Sequence, residues 1–178
     1  TSWSSETDIP SPSRSSAAAS TIGSTAYIFG GRDNSGDEIN DCDAWDGTSW
    51  SSETDMPSPG RSHLAASTIN NTAYVFGGYY GSATRLEDCD SWDGTSWNNA
   101  LNMPSPGRSD LAASTIGSTA YIFGGDDGSN RLDDCDAWDE TNWNSELNLP
   151  SPGRNYLASS TINNTAYIFG GNDGSNRL

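Results

Sequence analysis

A unit of 46 or 47 residues recurs along the whole chain, and no other feature narrows its folding so far. The doublet Gly30-Gly31 returns as Gly77-Gly78, Gly124-Gly125 and Gly170-Gly171, at spacings of 47, 47 and 46. Trp3, Trp50, Trp97 and Trp143 keep the same spacings, and so do Arg14, Arg61, Arg108 and Arg154. Cys42, Cys89 and Cys135 share one equivalent position, and all eight prolines fall in four Pro-Ser-Pro segments. A period of this length means stacked supersecondary units, none of which can bury its own faces alone.

Within a unit the pattern alternates with period two and is broken by turns, with no helical stretch. In the second unit, Ser62–Ile69 reads as a small-residue strand and Asn70-Asn71 as a turn. Thr72–Phe76 is a β-branched and aromatic strand that stops at Gly77-Gly78. Leu86–Trp92 reads as a third strand, Asp93-Gly94 as a hairpin turn, and Thr95–Asn98 as a fourth strand around Trp97. Four short antiparallel strands make one blade. The inner strand is rich in Ala and Ser, which suits blades converging on an axis. The pairs Trp45/Trp50, Trp92/Trp97 and Trp138/Trp143 suit the wider outer space. This taper favours a propeller over a linear β-solenoid.

The order Pro57-Ser58-Pro59-Gly60-Arg61, small-residue strand, Tyr74-Val75-Phe76-Gly77-Gly78, polar loop and closing Trp97 resembles the kelch repeat. The resemblance covers essentially the whole chain in four copies: Tyr27, Tyr74, Tyr121 and Tyr167 match the family's second strand, and Trp50, Trp97 and Trp143 its fourth. Two features depart from the family pattern. The hairpin Trp92–Trp97 is short, and its leading aromatic is Trp rather than Tyr. In both respects the copies are most similar to kelch arrays of microbial surface and phage-fibre proteins. The resemblance implies an all-β, kelch-type β-propeller segment of four-stranded antiparallel blades. One domain spans 1–178, with complete blades at about 11–52, 58–99 and 105–146, and an incomplete one at 151–178 with 1–6. The last blade lacks its third strand, so the chain is expected to pair with further repeats or with other copies of itself, its edges being templates for another chain.

Charge narrows the partners. Acidic residues number 24 against eight basic ones, all arginine, for a net charge of −16. No basic stripe is available for nucleic acid or for an anionic membrane. The longest apolar run is four residues, as in Ala73–Phe76, too short for a membrane helix. The chain opens at Thr1-Ser2-Trp3 without an initiator Met, which reads as processing or as a piece of something longer.

Several groups are candidates for chemistry. Asp126, Asp127 and Asp173 sit in Asp/Asn/Ser loops that offer oxygens to calcium, against a reading as solvated acidic loops. Arg14, Arg61, Arg108 and Arg154 open the inner strands near the channel mouth; they form either an anion-binding ring or ion pairs with a neighbouring blade. Asn70 and Asn163 head two N-glycosylation sequons in inter-strand turns, where Asn is also good turn chemistry. The three cysteines read as buried free thiols. His63 is the single histidine, and its counterparts are Ser16, Asp110 and Tyr156. The copper oxidases among kelch-like propellers need more than one His, so no cofactor is expected beyond the calcium alternative. The leading expectation is a non-enzymatic structural or recognition module, secreted, at a cell surface or on a virion, with a protein or glycan ligand. The rivals are an intracellular protein-binding kelch adaptor and a carbohydrate-active propeller enzyme. A non-repeated cluster of polar residues at the channel mouth would mark the enzyme.

Overall fold

The computed structural model describes residues 4–178. Every strand pairing among them is antiparallel, and no helix occurs among the described residues. Unit one runs Ala18–Ile22, Thr25–Asp33, Glu38–Trp45 and Trp50–Ser52, with a short strand, Arg14–Ser15, added at its rim. Unit two runs Ala65–Ile69, Thr72–Phe76, Cys89–Trp92 and Trp97–Asn99; unit three runs Ala112–Ile116, Thr119–Phe123, Cys135–Trp138 and Trp143–Ser145. In unit four the inner pair, Ala158–Ile162 with Thr165–Phe169, stands alone. The fourth strand expected at Thr1–Ser5 falls largely on residues 1–3, which lie outside the described residues; Trp3 is one of these.

The strands are shorter than the sequence suggests, for local reasons. The inner strand of unit two begins at Ala65 because His63 adopts φ +57°, which breaks the extended run. The third strand begins at Cys89 because the carbonyls of Leu86, Glu87 and Asp88 turn away to the amides of Arg108, Met103 and Gly77. The fourth begins at Trp97 because Asp93 Oδ1 accepts from the Thr95 and Ser96 amides, at 2.8 Å each, and holds both in the turn. The Ser-Pro bond within each Pro-Ser-Pro segment is cis.

Successive blades meet through one repeated junction. On one side lie Ala18, Ile22, Tyr27, Phe29 and Cys42 of unit one; on the other lie Leu64, Ala73, Val75 and Trp92 of unit two. The next junction sets Ala65, Ile69, Tyr74, Phe76 and Cys89 against Leu111, Ala120, Ile122 and Trp138. Near the axis, Ser–Thr hydroxyl pairs tie the inner strands together: Ser20–Thr68 at 2.5 Å, Ser67–Thr115 at 2.6 Å and Ser114–Thr161 at 2.6 Å. At the outer end, Trp97 Nε1 and Trp143 Nε1 each donate to a carbonyl of the preceding unit, Thr54 and Leu101, at 2.8 Å. The glycine doublets set the approach. Gly31 N donates to Arg61 O at 2.9 Å, and a Cβ on Gly30 would lie 2.5 Å from that same oxygen. Both residues have positive φ, so glycine is required twice over.

Candidate functional site

The residue after each Arg-Ser or Arg-Asn pair takes the left-handed conformation: Ser16, His63, Asp110 and Tyr156 have φ of 55°, 57°, 56° and 54°. Their backbones form a staircase around the axis. His63 N donates to Ser16 O at 2.8 Å, Asp110 N to His63 O at 2.8 Å, and Tyr156 N to Asp110 O at 3.0 Å. The preceding residue in each unit pairs with its own rim loop, through Ser15↔Arg32, Ser62↔Tyr79, Ser109↔Asp126 and Asn155↔Asn172. Residues about 47 apart in sequence are thereby brought to one end of the inner strands.

The side chains on this staircase interact. His63 Nδ1 lies 2.6 Å from Asp110 Oδ1, and because a carboxylate only accepts, Nδ1 carries the proton. Ser109 Oγ donates to the other oxygen of Asp110 at 3.0 Å. The His63 ring stands edge-on to Tyr79 and to Tyr156, with centroids 6.5 and 6.2 Å away. Tyr156 is 63% exposed, which is unusual for an aromatic side chain held by a fixed backbone. The Asp110 charge, with some burial, pushes its hydroxyl up. Arg85 lies over the Tyr79 ring at 5.1 Å and donates to Asp126 at 3.0 Å. Two open cavities share His63, Asp110 and Tyr156: one of about 240 Å³ with Leu64, Leu111 and Leu157 at its apolar floor, and a polar one of about 200 Å³ reaching Arg32 and Arg85. The arrangement offers a ring face, a His–carboxylate pair and two guanidinium groups within one small mouth.

In the sequence, the difference between His63 and its counterparts Ser16, Asp110 and Tyr156 argues only against a metal site. The available signal was the contrast itself. The strands around these positions recur almost unchanged, while this column reads Ser, His, Asp, Tyr and the column paired beside it, Arg32, Tyr79, Asp126 and Asn172, differs in every copy as well.

The residues singled out in the sequence lie elsewhere. Arg14, Arg61 and Arg108 do not face a channel mouth: their side chains are 1% exposed and pair with Asp43, Asp90 and Asp136. Those carboxylates sit on the third strand of the same blade, not a neighbouring one, so the three guanidinium groups are spent inside the junctions and form no anion-binding ring. Arg154 donates instead to Pro150 O at 3.2 Å. Asp126 is held by Arg85, by Arg131 at 3.2 Å and by the Gly128 amide. Asp127 and Asp173 each accept two amides of their own turn at 2.6–2.7 Å. Among the described residues no group of three or more His, Cys, Asp or Glu gathers as metal ligands would. Asn70 and Asn163 are exposed turn residues with φ of 53° and 55°, and Asn70 Nδ2 donates to Glu140 at 2.9 Å. Cys42, Cys89 and Cys135 are free and buried, and burial pushes the Cys135 thiol up to about 12. Such thiols have no thiolate to react with.

The model of the kelch motif matches residues 13–57 and 107–143. The solved structure of YjhT is similar to the chain, with 20% identity and a TM-score of 0.83. The likeness covers 96% of this chain and 63% of that one, so the chain spans less than two thirds of YjhT's length. At this identity it shows the fold. No curated protein matches the chain in sequence. The kelch motif is matched in units one and three, unit two repeats their four strands and unit four their inner pair, and the chain has the fold of a kelch-type β-propeller segment.

Proposed function

We propose that this chain is a non-enzymatic recognition module, working outside the cell, at a cell surface or on a virion, that holds a protein or glycan partner at the axial mouth. One observation carries the reading: four near-identical units differ from one another in all four copies both at Ser16, His63, Asp110 and Tyr156, which the staircase gathers at one end, and at Arg32, Tyr79, Asp126 and Asn172, which pair beside them. A scaffold role alone needs no such divergence. The mouth's size suits one projecting side chain or one sugar ring, with Tyr156 as the stacking face and the His63–Asp110 pair as a hydrogen-bonding edge. The acidic surface and the absence of lysine keep nucleic acid and anionic membranes off. Recognition of this kind uses no cofactor. On the secreted reading, Asn163 is a glycan acceptor, and Asn70 is one whose amide would have to leave Glu140.

The test is binding across an array of glycans and displayed peptides. Tyr156→Ala and His63→Ala should abolish the signal while leaving the melting temperature in place. Binding that survives both substitutions would overturn the assignment of the mouth.

A second reading is favoured by the His63–Asp110 pair itself. A carboxylate that orients a histidine is the arrangement of a general base, and a non-repeated polar cluster is what a carbohydrate-active propeller would carry. Incubation with chromogenic glycosides separates the two readings: turnover that disappears in His63→Ala supports the enzyme, and no turnover beside retained binding supports recognition alone.

A further inference from the structure

The basic residues divide into two sets. Arg14, Arg61, Arg108 and Arg154 head the inner strands, and the other four, Arg32, Arg85, Arg131 and Arg177, all stand in the rim loops beside the axial mouth. A chain with 24 acids thus gathers half its arginines around one opening. The two sets also point in opposite ways. In the junctions the guanidinium is hidden, with the side chains of Arg14, Arg61 and Arg108 only 1% exposed. At the mouth the nitrogen-bearing side chain faces out and its carboxylate partner in: Arg32 is 50% exposed against 9% for Glu38, Arg85 22% against 7% for Asp126, and His63 30% against 9% for Asp110.

Building on the reading of this mouth as the recognition site, we infer that its ligand is an acidic sugar carrying one singly charged oxyanion, a sulfate ester or a carboxylate, seated between Arg32 and Arg85. Both side chains line the polar cavity of about 200 Å³, with His63, Tyr79 and Ser109. Arg32 uses its Nε, which donates to Gly36 O at 2.8 Å and lies 3.7 Å from Glu38; among the described residues its two terminal nitrogens have no hydrogen-bond partner. That free fork fits two oxygens of one anion. Arg85, held over the Tyr79 ring, spends one N–H of Nη1 on Ala83 O and one of Nη2 on Asp126, so each terminal nitrogen keeps a second. The carboxylates are already engaged: Asp126 by Arg85 and Arg131, Asp110 by His63 and Ser109, and Glu38 by the Gly81 amide. What the mouth leaves open is therefore donors. One charge is the limit, because a polyanion would meet the rest of a −16 chain, whereas an isolated group feels chiefly the charges within a Debye length of about 8 Å. The backbone favours a sugar over a peptide. The amides of His63, Asp110 and Tyr156 are spent on the staircase, and those of Ser62, Tyr79, Ser109 and Asp126 on the rim pairs, so these residues offer a peptide main chain no free amide. Ring hydroxyls need only side chains, and His63 Nε2 and the Tyr156 hydroxyl supply them.

The single histidine makes the test direct, because the ring proton resonances of His63 report on this mouth alone. The full chain is titrated by nuclear magnetic resonance with glucose 6-sulfate, glucuronate, glucose and N-acetylglutamate amide, each at the same ionic strength. One or both acidic sugars should shift the His63 resonances saturably, the tighter of the two naming the anionic group, and glucose should not. Arg32→Gln, at an exposed position, should leave the melting temperature in place and weaken binding roughly tenfold or more, with a smaller loss in Arg32→Lys. If glucose binds as well as the acidic sugars, or Arg32→Gln binds like wild type, the acidic class is overturned while the mouth stands as the site. A saturable shift from N-acetylglutamate amide and from neither sugar would overturn it in favour of an acidic protein side chain. No saturable shift from any of the four would overturn it too, and the mouth itself is then judged by whether Tyr156→Ala abolishes binding on the array.

Discussion

Units two and four are almost the same peptide and almost opposite environments. Ala65-Ala66-Ser67-Thr68-Ile69 followed by Thr72-Ala73-Tyr74-Val75-Phe76 becomes Ala158-Ser159-Ser160-Thr161-Ile162 followed by Thr165-Ala166-Tyr167-Ile168-Phe169. Strand bounds and register coincide, down to Ala65↔Phe76 and Ala158↔Phe169. Yet Phe76 is fully buried and Phe169 is 53% exposed. Local sequence fixes the hairpin, and a neighbouring blade fixes the burial. Hydrophobic stabilisation in this molecule therefore belongs to junctions and not to units, as expected when stability is a sum over nearest neighbours.

The largest expected contrast follows directly. Phe76→Ala should cost about 3–5 kcal/mol, because it empties a filled junction, whereas Phe169→Ala should stay within roughly 0.5 kcal/mol in dilute solution. Equal losses in denaturant melts would mean that burial is set within the unit. Trp92→Ala belongs with the large group, at about 3–5 kcal/mol. Trp97 remains partly exposed although its Nε1 is bonded, so Trp97→Ala should cost less than Trp92→Ala.

A smaller contrast lies in the hydroxyls. Ser67→Ala leaves Thr115 Oγ1 without its partner and should cost about 1–2 kcal/mol, while Ser160→Ala, at the equivalent exposed position, should be near neutral. A double-mutant cycle between Ser67 and Thr115 would isolate the pair.

Acid should weaken the turns, whereas burial raises the Asp90 and Asp136 carboxyls beside Arg61 and Arg108, so their protonation does not add to that loss. Asp46 and Asp93 are held down at about 2, first by the hydroxyls of Thr48 and Thr95 and then by the amides that follow. Asp173 is held low by the Asn176 and Ser175 amides. A carboxyl depressed below its unfolded range near 3.9 stabilises the fold above that pH and stops doing so as pH falls toward about 2. Melting temperature should therefore decline between about pH 4 and pH 2, and Asp93→Ala should flatten part of that decline. The smallest expected effect is that of calcium. With Asp126, Asp127 and Asp173 already committed to arginines and turn amides, Ca²⁺ should raise the melting temperature no more than sodium at equal ionic strength. A saturable rise would show that those loops open to take the ion.

What can be read along the chain follows from how far its causes reach. Turn residues, strand alternation, the glycine doublets and the closing tryptophans act within a few residues of themselves, so the four-stranded blade, its repetition and the buried thiols are legible from composition and spacing. Even there, the strand ends moved where a side chain or carbonyl found a partner off the ladder, as with Asp93 and Leu86. The arginines show the limit: a cation repeated at the head of each inner strand looks like a ring at a mouth, and only packing shows that Arg61 folds back onto Asp90 of its own blade. The mouth is the complement of that case. His63, Asp110 and Tyr156 are about 47 residues apart, and each is unremarkable in its own unit. They become a site because three inter-unit amide bonds, His63 to Ser16, Asp110 to His63 and Tyr156 to Asp110, place left-handed residues one above another. The amino-acid sequence by itself determined the unit and its period, since short-range geometry suffices for a hairpin. Which faces are dry, which charges are paired and which side chains meet at the axis were decided only by the tertiary structure, because those depend on surfaces that the stacking of whole blades brings together.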